Sequence, residues 1–528
     1  MPARQASNAI FHYRMSFSKV YSGQSDIGGA TIVDIESDLS RGLYSFAVVG
    51  LPDKAVEESR DRVSAAIKNS GFESPKSKNH KIVISLAPAD IKKEGPAFDL
   101  PIALSYLRSS GEIIFSPEKK LFLGELALDG KLRPINGVLP IVREAKKRGF
   151  EELFIPKENV KEAALVRGIK IFGAKSLIEV IDHLDEKEGD RIKKKIVPAK
   201  ETEIENAKEE NLLDFADIKG QENAKRALEI AAAGGHNILM WGSPGTGKTM
   251  LAKAFAGILP ALTYDEILEA TSIHSTAGAL HSGIIAQAPF RAPHHTSSHV
   301  AIVGGGANVR SGEITLAHKG VLFLDEFPEF DRRVIESLRE PLEEKMIKVA
   351  RAKGSATFPA DFILVAAMNP CPCGNFGTKK RCICNPLAIQ RYQRKISGPI
   401  MDRIDLWIEV SDIDHKTLNE EKSGERSKEI KNRVEEARAI QKKRFEKFGT
   451  NQSKNSEIKA KDIKKMAALE DGASEILVSS AQKLALSPRA YHRVIRLART
   501  IADLEKSDTV KTPHILEALQ YRQKREIL

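Results

Sequence analysis

The segment "NILMWGSPGTGKTMLAKAFAGI" sets the tightest limit on what this chain can become. A short apolar strand, Ile238 to Trp241, leads into Gly242, Ser243, Pro244, Gly245, Thr246, Gly247, Lys248 and Thr249, and then into a helical pattern. Glycines at this spacing let backbone N–H groups converge on phosphate oxygens at a helix N-terminus. Lys248 then reaches the β and γ phosphates of a nucleoside triphosphate, and the Thr249 hydroxyl binds Mg2+. A nucleotide-binding α/β domain follows from this segment alone.

Two further apolar strands end in chemistry. "GVLFLDEFPEF" stops at Asp325 and Glu326, adjacent carboxylates that suit a division of labour. One completes the Mg2+ shell, and the other orients and polarises water. "FILVAAMN" ends at Asn369, whose amide suits the γ-phosphate or the attacking water.

A chain of 528 residues is too long for one core. Residues 30–184 alternate strand and helix patterns and form one domain taken from residue 15, with strands expected at "ATIVDIES", "LYSFAVVG" and "KIVISLAP" and a hairpin at "LFLGELALDGKLRPI". Residues 185–211 are charged at almost every second position and read as a linker. A second α/β block spans 212–410, and 411–528 has helical periodicity without strands. The last segment carries 26 Lys and Arg against 19 Asp and Glu, much of the net charge of +11. Such a basic end suits a polyanion, although a solvated helical face has the same composition. No apolar run approaches the ~20 residues of a membrane span. The N-terminus lacks an apolar signal core and all cysteines are clustered, so a cytoplasmic location is expected.

Together with the three strand ends, "FRAPHHTSS", "VGGGANVRSGEITLAHKGVLFLDEF", "LREPLEE", "AAMNPCPCGN" and "KISGPIMDRIDLWIEV" resemble the magnesium-chelatase-like AAA+ ATPases of the YifB or ComM family. The resemblance runs from about Met15, which makes residues 1–14 an extension or a mis-assigned start. It implies ATP and Mg2+ as cofactors, Asp325 as the Mg2+ ligand, Glu326 as catalytic base and Asn369 as sensor. By the same resemblance Arg403 of "DRID" is an arginine finger completing a neighbour's site, with pairing to Asp402 or Asp405 as the structural alternative. Arg489 of "SPRAYHR" is a second sensor reaching a γ-phosphate from a C-terminal helical lid. A hairpin over 347–362 carries Arg351 and Lys353 near its tip, placed to line a ring's pore.

Residues 15–184 resemble a Lon-protease-like (ribosomal S5 domain 2-like) α/β fold. Ala97 stands where that fold has its nucleophilic serine, and "NGVLPIV" offers no catalytic lysine, so no acyl chemistry is expected. His294, His295 and His299 fall in an insertion of the ATPase core, where a structural or pore-facing role is expected.

The four cysteines, Cys371, Cys373, Cys382 and Cys384, form two C-x-C pairs. Zinc, free thiols and disulfides all remain open for them, with a structural role in each case. Zinc here would fix the sensor, so its loss is expected to spare ATP binding more than hydrolysis. The family implies a homo-hexameric motor on DNA, single-stranded or branched, of the branch-migration helicase kind, with no membrane. A chelatase-type ATPase that remodels a protein partner is the alternative, and an ATP-dependent protease is disfavoured by Ala97.

Overall fold

A computed structural model describes residues 16–522 apart from 27–28, 188–192, 205–212, 282, 307–309, 352–353, 378–380, 414–423 and 451. The suggested extension, residues 1–14, lies outside the described residues. The chain divides into two compact units, Met1–Glu205 with Thr271–Ile285, and Asn206–Ala270 with Ala286–Leu528.

Alternating burial along Phe17–Asp26 and Gly29–Arg41 builds the first unit. A strand with one face on the core buries every second side chain, and the antiparallel register sets Val20 opposite Ile35, both fully buried. The seven-stranded sheet runs Ser45–Val49, His80–Ala87, Gly29–Arg41, Phe17–Asp26, Lys120–Phe122, Glu152–Pro156, Lys170–Ala174. Helices Lys54–Asn69 and Asp99–Ser109 contribute Val63, Ile67, Leu104 and Leu107 to its core. Asp53 caps the first of them by accepting from the Val56 N–H at 2.8 Å. Ala97 lies in the 3-10 turn Pro96–Phe98.

The expected hairpin at "LFLGELALDGKLRPI" is much smaller than its sequence suggests. Lys120–Phe122 joins the main sheet, parallel to Phe17–Asp26 and Glu152–Pro156. Only Glu125–Leu126 and Leu132–Arg133 pair antiparallel, around the Asp129–Gly130 turn. The apolar Leu121 and Phe122 gain more burial between two parallel strands than at a hairpin edge. Part of the charged segment lies along this unit, where Ala199 N–H donates to Ile171 O at 2.8 Å and Thr202 N–H to Ala164 O at 3.0 Å.

The second unit holds five parallel strands in the order Phe290–Arg291, Val321–Leu324, Ile363–Met368, Ile238–Trp241, Leu406–Glu409. Val321–Leu324 and Ile363–Met368 are buried throughout, as continuous apolar runs in a covered parallel sheet must be. The hairpin is present as Met346–Arg351 with Gly354–Pro359, with Arg351 paired to Gly354, while Lys353 lies outside the described residues. Beyond the sheet come helices Ser427–Lys447, Asp471–Lys483, Pro488–Leu504 and Thr512–Gln520. Among the described residues no helix is long and apolar enough to cross a membrane.

Polar groups fasten these helices to the sheet. His236, fully buried, shares hydrogen bonds with Thr500 Oγ1 at 2.8 Å and Asp405 Oδ2 at 3.2 Å. Asp361, at the start of the Ile363 strand, meets Lys319 and Lys454 at 3.1 Å and Lys345 at 2.8 Å. Burial alone would raise its carboxyl, but the three ammonium groups outweigh that and hold it well below the usual carboxylate range.

Asp361→Asn should therefore lower stability by about 3–5 kcal/mol, because three ammonium groups lose their shared partner. The Asp361 contribution is complete above the unfolded carboxylate pKa and fades as pH falls through the lower folded value. Denaturant melts should show the wild-type advantage at pH 7 and its shrinkage below about pH 4.

Candidate nucleotide site

The central strand Ile238–Trp241 lies between Ile363–Met368 and Leu406–Glu409, and its exit is tightly framed. A Cβ on Gly242 would come within 2.2 Å of Val410 O, so only glycine fits there. Gly245 and Gly247 have φ of +84° and +94°, the left-handed region glycine enters freely, and a Cβ at either would meet nothing within 4 Å. Their role is conformational, turning the loop's backbone toward open space. The helix Lys248–Gly257 begins directly after the loop.

Lys248 is buried and donates to Gly242 O at 2.7 Å, Ser243 O at 2.8 Å and Asn369 Oδ1 at 3.3 Å. Burial pushes its pKa below the ordinary lysine value, against the opposing pull of Asp325, Asp412 and Glu326. A buried ammonium held by carbonyls is ready to exchange them for phosphate oxygens. Thr249 Oγ1 donates to Asp325 Oδ2 at 2.7 Å. A hydroxyl and a carboxylate that close, beside a phosphate loop, fit the oxygen donor set of Mg2+. Asp325 Oδ1 accepts from the Glu326 N–H at 3.0 Å. Glu326 itself has φ +52°, a strained backbone for a residue with a side chain.

One contact escaped the sequence reading. His295 Nδ1 lies 3.1 Å from Glu326 Oε2, while its ring packs 4.2 Å from that of His294. His294 in turn bonds Thr296 Oγ1 at 2.8 Å, and His299 opens the short helix His299–Val303. The fold brings them together because "FRAPHH" leaves the strand Phe290–Arg291, which pairs with Val321–Leu324 just before Asp325 and Glu326.

The two arginines sit elsewhere. Arg403 donates to Pro399 O at 2.6 Å and to the Glu343 carboxylate. The alternative pairing with Asp402 or Asp405 is not what forms. Arg493 occupies that place, 3.8 Å from each aspartate, and also donates to Asp402 O at 2.6 Å and Ile404 O at 2.8 Å. Arg403, Arg489, Arg493 and Arg496 line one cavity of about 740 Å³, together with Asn237. Asn237 precedes the central strand and Gly242 follows it, so the two sites are separated by roughly 15 Å of strand. Lys248, Thr249, Asp325, Glu326 and Asn369 are brought together; Arg403 and Arg489 are grouped at the opposite end of the sheet.

The cysteine sulfurs converge. Cys371 Sγ is 3.4 Å from Cys373 and 3.8 Å from Cys382, Cys373 is 3.6 Å from Cys382, and all four lie within 4.8 Å of one another. No disulfide joins any of the four. Among the described residues theirs is the sole group of three or more His, Cys, Asp or Glu side chains placed to share a metal, so the three histidines form none.

Comparison with known proteins finds three family matches along the chain. Residues 214–418 match the family "Magnesium chelatase, subunit ChlI", 35–159 match "Subunit ChlI of Mg-chelatase", and 424–522 match "Magnesium chelatase, subunit ChlI C-terminal". The chain is 44% identical over 512 residues to the competence protein ComM of Haemophilus influenzae, covering 96% of this chain and 98% of that one. It is 41% identical over 515 residues to Escherichia coli YifB, covering 96% and 97%. The 67 kDa magnesium-chelatase subunit of Chlorobaculum parvum is 30% identical over 164 residues, 30% of this chain and 24% of that protein.

Lys248→Ala is expected to weaken nucleotide binding about tenfold or more, because a phosphate-loop cation is lost. Glu326→Gln should keep nucleotide affinity and slow hydrolysis about 10²–10⁴-fold, the usual contribution of a general base. Equilibrium binding of a fluorescent ATP analogue and steady-state phosphate release separate the two.

Proposed function

Because the chain belongs to the YifB/ComM group of magnesium-chelatase-like AAA+ ATPases, we propose that it is an ATP-driven ring motor acting on DNA. The ATPase assignment comes with the family; the DNA substrate, the hexameric ring and the helicase activity are the further steps of the proposal. The observation that carries it is the separation of two half-sites on one sheet. The phosphate loop, Thr249, Asp325, Glu326 and Asn369 form one half. Arg403 and Arg489 line a cavity about a strand's length away. Two halves at opposite ends of one sheet support completion by a neighbouring copy, with Arg403 as the finger and Arg489 as a second sensor facing the same phosphates. A homo-hexamer closes that head-to-tail arrangement.

Within the site, Lys248 and the loop amides would bind the β and γ phosphates, and Thr249 with Asp325 would hold Mg2+. The metal supplies charge neutralisation on the phosphate oxygens. Glu326 would take a proton from the attacking water, and Asn369 would orient that water or the γ-phosphate. Zn2+ in the cysteine cluster is the proposed structural cofactor.

The DNA reading draws on the basic C-terminal segment, on the hairpin Met346–Arg351/Gly354–Pro359 as a pore element, and on the relative named a competence protein. Branch migration of recombination intermediates during DNA uptake or repair, in the cytoplasm, fits these features. The first unit is read as a Lon-like binding module without protease chemistry, since Ala97 offers only a methyl group.

ATPase activity should rise steeply with protein concentration and be stimulated by single-stranded or four-way DNA. Arg403→Ala added to wild type should lower specific activity more than dilution does, because a finger in trans is worth roughly 10³–10⁵ in turnover. Unchanged activity in the mixture would remove the finger, and indifference to every DNA form would favour a chelatase-type protein substrate.

A further inference from the structure

We propose that Cys371, Cys373, Cys382 and Cys384 hold one Zn2+ and that this metal keeps the phosphate loop seated, through the packing of Gly374 on Pro244. The inference rests on the reading of residues 242–249 as a nucleotide site.

The sulfur geometry points to a tetrahedral ion. Four thiolates at about 2.3 Å from Zn2+ stand about 3.8 Å from one another. The separations among Cys371, Cys373 and Cys382, 3.4, 3.6 and 3.8 Å, lie at or just below that spacing, and Cys384 Sγ is within 4.8 Å of the other three. A disulfide would bring one pair to about 2.05 Å instead. The Phe376 N–H donates to Cys371 Sγ at 3.3 Å, a bond that favours a thiolate and fixes its direction. Apolar packing does not hold the second C-x-C pair, because Ile383 between its cysteines is 82% exposed. Residues 381–385 also lack regular secondary structure. Ligation supplies the constraint that burial does not.

The cross-linked loop then bears on the nucleotide site at two points. Gly374, between Cys373 and Asn375, has φ +79°, and a Cβ there would strike Pro244 Cδ at 2.5 Å and Cγ at 2.6 Å. Its N–H donates to Cys371 O at 3.0 Å, so the contact is built into the first C-x-C turn. Pro244 lies in the phosphate loop itself. After the second pair, the helix Pro386–Gln393 brings Tyr392, whose hydroxyl bonds the Asn369 backbone. The metal site is thus tied to both the loop that would grip phosphate and the sensor beside Lys248. The sequence places its influence on the sensor, with ATP binding spared more than hydrolysis. The Gly374–Pro244 contact extends that influence to binding.

The test uses full-length protein, its zinc content and its affinity for a fluorescent ATP analogue. A mercurial with a chromogenic zinc chelator removes the metal, and it reaches no other thiol because the chain has 4 cysteines. About one Zn2+ per chain is expected, and its removal should weaken nucleotide affinity about tenfold or more, with recovery on returning excess thiol and zinc. Gly374→Ala retains all four thiols, so it should keep the zinc and still weaken nucleotide binding. Metal-free protein with full affinity would overturn the proposal. So would zinc removal, or Gly374→Ala, that leaves affinity unchanged. Undiminished nucleotide binding by Lys248→Ala would instead sink the nucleotide-site reading, with the zinc content untouched.

Discussion

The parallel pairing of Ile238–Trp241 with Ile363–Met368 governs the rest of the second unit. Its register sets Trp241 against Met368, so the next residues on each chain, Gly242 and Asn369, emerge side by side. Lys248 then meets the Asn369 amide at 3.3 Å. One strand further out, the pairing of Leu324 with Ala366 delivers Asp325 to Thr249. A slip of one residue would turn these buried side chains to the opposite faces and separate the polar groups. Hydrophobic burial on both faces is what forbids the slip, so the chemistry at the strand ends depends on apolar packing along their length.

Polar groups also converge at the other end of the same sheet, where Arg403, Arg489, Arg493 and Arg496 line a cavity. Asn237 accepts the backbone N–H groups of Asp405 and Leu406 and donates from its side chain to Arg403 O at 3.0 Å. The strand that carries the phosphate loop therefore also fixes the backbone of Arg403. His236, one residue earlier, reaches Thr500 in the helical segment. Asn455 donates to Thr500 and to Asp503, while Arg499, itself fully buried, donates to Asp503 at 2.9 Å. Buried polar chains of this kind are rigid only while every member is satisfied. They give the arginine cavity a defined shape instead of a loose rim.

Much of this was legible because local signals and fold agree. The phosphate loop, the Asp325–Glu326 strand end and the Asn369 strand end each carry a short apolar run followed by polar chemistry, and each appears as read. The Phe17–Asp26 strand preceded the alternation read from residue 30, because its burial mixes Val20 with small polar residues such as Ser22. The hairpin was overextended because sequence shows a turn at Asp129–Gly130 but not which sheet Lys120–Phe122 joins. Long-range pairings were the least accessible. Nothing in local spacing says that His295 faces Glu326, that Glu343 and not an aspartate takes Arg403, or that Gly374 packs on Pro244. Those contacts join segments tens of residues apart, and only the folded sheet brings them together.

The most direct test of the account is a structure of the assembled protein with a non-hydrolysable ATP analogue and Mg2+. The account predicts each γ-phosphate between Lys248 and Asn369 of one copy and Arg403 of the next, with Arg403 released from Glu343. Nucleotide bound in an isolated chain, or in a ring whose Arg403 side chains remain on Glu343 and face away from every phosphate, would contradict it.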